Sequence, residues 1–148
     1  MMRLIAISLT VIAGCMSATA FAADDPITAR KGLMKSMGAA AGVGGGMIKG
    51  EIPFDPKVAM LVLATANGVS HSLGSFFPEG SDAGMETTAS PKIWEDMAGF
   101  SGRISEFQAD TQAAFDSKPA DLDAFKAAFG SVAENCKGCH ENYRVKKN

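Results

Sequence analysis

Metal-binding and cross-linking residues are scarce in this sequence, whose 148 residues contain three cysteines and two histidines. Cys136, Cys139 and His140 stand together near the end, so only Cys15 and His71 lie elsewhere. A disulfide framework has too few thiols to form. A structural zinc site needs four ligands in tetrahedral reach, and adjacent Cys139 and His140 are poorly spaced to share one ion with His71. No stretch alternates apolar and polar residues long enough for a strand. That removes the strand–helix context of a thioredoxin-like dithiol. No nucleophile–histidine–carboxylate set is visible, so an acid–base enzyme is not expected. Lys/Arg blocks are absent before Arg144, Lys146 and Lys147, and nucleic acid is therefore not an expected partner.

Apolar runs are also too short to span a bilayer, which takes roughly 20 residues. The run over residues 4–13 follows Arg3 and leads into Ala20-Phe21-Ala22. This is the anatomy of a secretory signal peptide cut after Ala22. Residues 1–22 are expected to be removed, leaving 23–148 as one domain in the periplasm. Ile12-Ala13-Gly14-Cys15 resembles a lipoprotein processing box, which makes a lipid anchor on Cys15 the alternative. The ordinary cut discards Cys15. Fourteen basic and sixteen acidic residues give a net charge of −2, and loss of Arg3 makes the mature chain one unit more negative.

What the sequence does contain is helical periodicity. Ile93, Met97, Phe100, Ile104, Phe107, Thr111 and Ala114 recur at alternating spacings of four and three, as do Leu122, Phe125, Phe129, Val132, Cys136, Cys139 and Tyr143. Ile27, Arg30, Met34, Met37, Ala41, Gly44 and Ile48 form a weaker stripe. Val58, Val62, Thr65, Val69 and Ser72, flanked by Leu61 and Leu73, form a fourth. Asp25-Pro26, Asp55-Pro56 and Ser90-Pro91 each offer a capping side chain followed by proline at the first helical position. Asp121 marks the last start. Helices are expected near 25–48, 55–75, 91–117 and 120–145, forming an all-α, up-and-down antiparallel four-helix bundle.

Cys136-Lys137-Gly138-Cys139-His140 is the C-x-x-C-H pattern of covalent haem attachment. In such a site both thiols form thioethers to the haem vinyl groups, and the imidazole takes one axial position on the iron. On a helix these residues share one face, and the apolar stripe aims that face into the bundle. One covalently attached haem c per chain is expected, with His140 as axial ligand. The eight residues after His140 contain no Met, His or Cys, so the far side of the iron must be covered from upstream. His71, between Ser70 and Ser72, reads as a surface residue. Met34, on the inward stripe of the first helix, is the candidate.

Five segments carry a resemblance over essentially the whole mature region. They are Arg30…Met34…Met37-Gly38, then Lys49-Gly50-Glu51…Pro53-Phe54-Asp55, Phe77-Pro78-Glu79-Gly80-Ser81-Asp82, Pro91-Lys92-Ile93-Trp94-Glu95-Asp96, and Cys136 through Arg144. Together they resemble the cytochrome c′ family of class II c-type cytochromes. The resemblance implies Arg30, Lys31 and Thr88 in the region of the haem propionates, Met34 in the distal pocket and Arg144 in the proximal pocket. For Arg144 two readings stand: a solvated cation favourable to the helix dipole, or a charge that tunes the iron.

Family members set an apolar side chain over the iron without bonding it, while low-spin relatives use a Met at this place as a sixth ligand. The loop at 77–82 resembles the first kind, so a high-spin five-coordinate iron is expected. A low-spin electron carrier ligated by Met34 is the alternative. Leu33, Met34 and Met37 offer no hydrogen-bond donor, which disfavours O₂ and favours NO and CO. The expected function is gas binding or one-electron transfer with an unidentified redox partner, without substrate turnover. The resemblance also implies a homodimer through the first two helices.

Overall fold

The computed structural model describes residues 25–145. The expected signal peptide, Cys15, Lys146 and Lys147 lie outside the described residues. Five helices form: α1 (Pro26–Lys49), α2 (Pro56–Leu73), a single turn α3 (Lys92–Glu95), α4 (Met97–Asp116) and α5 (Leu122–Tyr143). No strand occurs among the described residues, and none of their helices is long and apolar enough to cross a membrane.

Each long helix starts where its backbone N–H groups find a carboxylate. Asp25 accepts from Thr28 N at 2.8 Å, Asp55 from Lys57 N at 2.7 Å and Asp121 from Ala124 N at 2.8 Å. These bonds satisfy donors that have no partner inside the helix. α1 ends on Gly50 at φ 74°, a left-handed conformation in which its N–H reaches back to the last turn.

The third helix departs from expectation. Ser90 Oγ accepts from Lys92 N at 3.3 Å, but only one turn follows before the backbone breaks at Asp96 (φ −132°, ψ 59°). Asp96 then caps α4, accepting from Gly99 N at 3.0 Å and from the Tyr143 hydroxyl at 3.2 Å. A second N-terminus capped in this way competes with helix continuation. A Cβ at Gly99 would meet both the Asp96 carboxylate and the Tyr143 hydroxyl. Gly99→Ala should therefore cost about 2 kcal/mol through overpacking, read as a lower urea midpoint at unchanged slope. A shift under half that size would show that the cap relaxes freely.

The last helix stops at Tyr143 rather than 145. Arg144 is extended (φ −124°, ψ 132°) and bridges Ala89. Ser90 N donates to Tyr143 O at 3.0 Å and Val145 N to Thr88 O at 2.8 Å. The end of α5 is thereby tied to the segment before α3.

The helices pack in chain order, α1 on α2, α2 on α4 and α4 on α5, as an up-and-down bundle requires. The main core joins Met47, Leu63, Val69, Phe107, Phe125 and Val132 from all four long helices. A smaller cluster of Leu73, Ile93, Phe100, Ile104 and Tyr143 fills one end. On α2 the buried face is wider than the expected stripe: Ala59, Leu63, Ala66 and Ser70 are buried, Ser72 is exposed and Leu61 is 67% exposed. Lying between α1 and α4, this helix must bury two flanks. Ser70 and Thr111 are fully buried and share a 2.8 Å hydrogen bond across α2 and α4, so neither hydroxyl is left without a partner. α1 and α5 touch least of the neighbouring pairs, because a cavity separates them.

Candidate functional site

That cavity has a volume of about 560 Å³ and a mainly apolar lining. α5 contributes Cys136, Cys139 and His140 to one wall, and α1 contributes Met34, Met37 and Gly38 to another. Arg30, Lys31, Thr87, Thr88 and Arg144 also line it. All eight residues singled out from the sequence therefore line one space, although they come from three separate segments.

The α5 wall follows from local helix geometry. Spacings of three and four put Cys136, Cys139 and His140 on one face, and the stripe that buries Phe125, Phe129 and Val132 turns that face inward. Both cysteines are free and half-buried. Burial raises both thiol pKa values; for Cys139 neighbouring Cys136 adds to the rise and Arg103 opposes it. The sulfurs are therefore thiols at neutral pH.

His140 still reaches solvent, yet partial burial lowers its pKa and the nearby Arg144 charge lowers it further. A neutral imidazole keeps a lone pair for a metal at neutral pH, where a proton would otherwise compete. His71 is exposed on α2 and does not line the cavity.

Met34 packs against both apolar clusters. Met37 is more deeply buried, at 6% exposure, and belongs to the main core. No hydrogen-bond donor sits on the Met34, Met37 and Gly38 side chains.

Arg30 is committed in a way its sequence position did not reveal. It is 4% exposed. Its Nη1 donates to Phe76 O at 3.2 Å and Ser81 Oγ at 3.1 Å, and its Nη2 to Ser81 O at 2.7 Å and Thr87 Oγ1 at 3.1 Å. The guanidinium carbon also lies 5.0 Å from the Phe77 ring centre and 5.6 Å from that of Trp94. Burial lowers its pKa, opposed by Asp25 and Asp82, but a guanidinium stays charged at neutral pH. Nε is the one buried side-chain polar atom without a hydrogen-bond partner among the described residues. The four N–H groups of its terminal nitrogens are committed within the protein, so Arg30 presents no bidentate fork to an anion. Lys31 Nζ donates to Glu86 O at 3.2 Å.

Thr87, Phe77 and Ser81 are site residues that sequence reasoning missed as such. Thr87 stands beside Thr88, and nothing in the sequence says which hydroxyl faces Arg30. Thr87 Oγ1 also accepts from Ala89 N at 3.1 Å.

Paired thiols, a neutral imidazole one residue on and a mainly apolar space with Arg30, Lys31 and Arg144 in its lining fit a flat, largely apolar macrocycle with acidic side arms. Comparison with known proteins agrees. The cytochrome C′ family model matches residues 25–144. Cytochrome c′ of Rhodopseudomonas palustris is 38% identical over 146 residues, covering 99% of this chain and 98% of that protein. Cytochrome c-556 of Agrobacterium fabrum is 30% identical over 146 residues, 99% of each chain. The structure of R. palustris cytochrome c′ superposes with a TM-score of 0.79 at 39% identity, covering 85% of this chain and all of that one. A structure of R. palustris cytochrome c556 gives 0.74 at 29%, with the same coverage. Haem c is accordingly the cofactor of this site, with Cys136 and Cys139 in the attachment box, and the chain belongs to the cytochrome c′ family.

Proposed function

We propose that this protein is exported to the periplasm and there binds NO or CO, carries single electrons, or does both, without turning over a substrate. Bound in the cavity, haem c would supply an iron that exchanges one electron and accepts a small diatomic ligand on its free face. His140, its pKa lowered by burial and Arg144, would offer its imidazole lone pair to the iron. Met34 would cover the opposite face of the haem without bonding the iron. The observation that carries this reading is the α1 wall of Met34, Met37 and Gly38, which offers bulk but no hydrogen-bond donor. O₂ gains little there, whereas NO and CO need no such donor. Arg30, Lys31 and Thr88 line the cavity and would face the propionates, whose carboxylates need cationic or hydrogen-bonding partners when taken out of water.

In the second reading Met34 bonds the iron and the protein is purely an electron carrier. It is favoured by the thioether itself, and by cytochromes c-556 being similar over the full chain. Absorption spectra of the mature holoprotein decide between the two. The first reading expects high-spin ferric and ferrous spectra. A low-spin spectrum with a thioether–iron charge-transfer band would replace it with the second.

A homodimer through α1 and α2 would find one exposed apolar anchor, Leu61. Sedimentation of the mature holoprotein reads this directly, and Leu61→Glu should shift it toward the monomer.

A further inference from the structure

Tyr143 and Trp94 are the only tyrosine and the only tryptophan of the chain, and both belong to the apolar cluster at the cavity end of the bundle. They come from α5 and α3, yet a row of aromatic rings joins them. Centre to centre, Tyr143 lies 5.3 Å from Phe100, Phe100 lies 4.7 Å from Phe77, and Phe77 lies 6.1 Å from Trp94. Tyr143, Phe100 and Phe77 line the cavity, whereas Trp94 does not. Trp94 is half-buried one ring further out, with its Nε1 donating to Pro78 O. The row therefore runs from the wall of the haem site to the protein surface.

Packing accounts for the two phenylalanines. The ends of the row carry chemistry as well. Phenol and indole are the most readily oxidised aromatic side chains, and a phenyl ring between them serves as a bridge without being oxidised. A phenol yields an electron at moderate cost only if its proton leaves at the same time. Tyr143 is equipped for that. It is 7% exposed, and its hydroxyl donates to Asp96 Oδ2 at 3.2 Å. The Asp96 carboxylate, itself exposed, is placed to take the proton and to return it.

Neighbouring charges decide where an electron vacancy rests. The Arg30 guanidinium carbon lies 5.6 Å from the Trp94 ring centre, and a cation there opposes a positively charged indole. Lys92 Nζ lies 5.8 Å from the Tyr143 ring centre, but a phenol that has passed its proton to Asp96 is neutral and feels that charge little. Tyr143 is the resting place and Trp94 the passage to the surface. Met34 and Met37, which line the same cavity, are the side chains at risk, because oxidants convert thioethers to sulfoxides.

We infer that Tyr143 and Trp94 form a relay that supplies an electron to the haem site when a peroxide oxidises it, sparing the methionines of the pocket. The inference rests on the open-iron reading of the proposed function, since a peroxide must reach the metal. Hydrogen peroxide breaks its O–O bond and takes two electrons and two protons to become two waters. One electron comes from the iron and one from Tyr143, and both protons come from solvent. The Tyr143 O–H bond breaks and its proton passes to Asp96. An electron from Trp94 then crosses Phe77 and Phe100, the proton returns from Asp96 to Tyr143, and the indole N–H proton goes to water. A phenolic donor outside restores Trp94 with one electron and one proton.

The test mixes the mature ferric holoprotein with hydrogen peroxide and freeze-quenches it for electron paramagnetic resonance. With one tyrosine in the chain, a tyrosyl signal identifies Tyr143. The wild type should show it. Tyr143→Phe should lose it and accumulate severalfold more sulfoxide at Met34 and Met37, read by mass spectrometry. Trp94→Phe should keep the signal but slow its decay severalfold when hydroquinone is added. Asp96→Asn, which still caps α4, should slow formation of the signal about tenfold or more and weaken its solvent deuterium isotope effect.

An iron spectrum that responds to peroxide, with no tyrosyl signal and equal sulfoxidation in wild type and Tyr143→Phe, overturns the relay and leaves the open iron standing. A spectrum that peroxide leaves unchanged refutes the open iron, and with it peroxide as the oxidant. The row itself is then tested from its outer end with a photogenerated ruthenium(III) tris-bipyridine complex. The wild type should again form the tyrosyl radical, and Trp94→Phe should form it severalfold more slowly. Equal rates would show that Trp94 and Tyr143 do not exchange electrons.

Discussion

Met34→Ala in the mature holoprotein should raise CO affinity at least tenfold, about 1.4 kcal/mol. The side chain bridges both apolar clusters, and a ligand entering on the α1 side must first displace it. Burying a Met side chain is worth about 1.5–3 kcal/mol, and on the proposed reading the wild-type protein would sacrifice part of that for CO to bind. The alanine variant has nothing to displace. If Met34 were instead bonded to the iron, the same substitution would also convert a low-spin spectrum to a high-spin one, so a CO titration and a spectrum separate the two readings. Met37→Ala provides the contrast. Met37 belongs to the main core, so its loss should cost about 2–4 kcal/mol of stability with a smaller change in CO binding. Unchanged CO affinity in Met34→Ala would take that residue out of the distal pocket.

Arg30→Ala should be the most damaging single change outside the attachment box, at about 3 kcal/mol or more. Four hydrogen bonds end on Phe76 O, Ser81 Oγ, Ser81 O and Thr87 Oγ1, and the alanine variant leaves these acceptors without their donor. Each buried group so abandoned costs about 1–3 kcal/mol unless water reaches it. The Phe77 and Trp94 rings also lose the cation between them. Arg30→Lys should recover only part, because an ammonium cannot span the fork that joins Ser81 to Thr87. The check is denaturant unfolding together with hydrogen exchange over residues 76–88, which should lose protection in the alanine variant. Unaltered exchange there would mean that Trp94, whose Nε1 donates to Pro78 O at 2.9 Å, holds the loop without help.

Much of this was legible beforehand. Heptad spacing on α4 and α5 gave the core positions from Phe100 to Ala114 and from Phe125 to Val132, because a regular stripe has one solution when each helix packs through a single face, while Met97, at the start of α4 beyond the break at Asp96, is exposed. The α5 stripe also turned Cys136, Cys139 and His140 inward. Legibility failed where a side chain acts across the chain. Asp96 reads as another polar residue inside a helix until Tyr143, 47 positions away in sequence, meets it. Arg30 sits on an apolar stripe, and its partners lie 46 to 57 residues downstream in a loop with no period. Helix α2 was misjudged at Ser72 and Leu61 because it packs between two neighbours, and a one-sided pattern does not describe a two-sided environment.

The cavity walls come from α1 and α5, the first and last helices of the bundle, which touch each other sparingly. These are the most distant partners in the chain, so their approach carries the largest loop-closure entropy and the least direct reward. A cofactor that is covalent to one wall and packed by the other repays that closure, and its binding energy counts toward folding. Before haem is attached, α1 should be the helix that opens first, leaving the thiols of α5 within reach of the machinery that loads them.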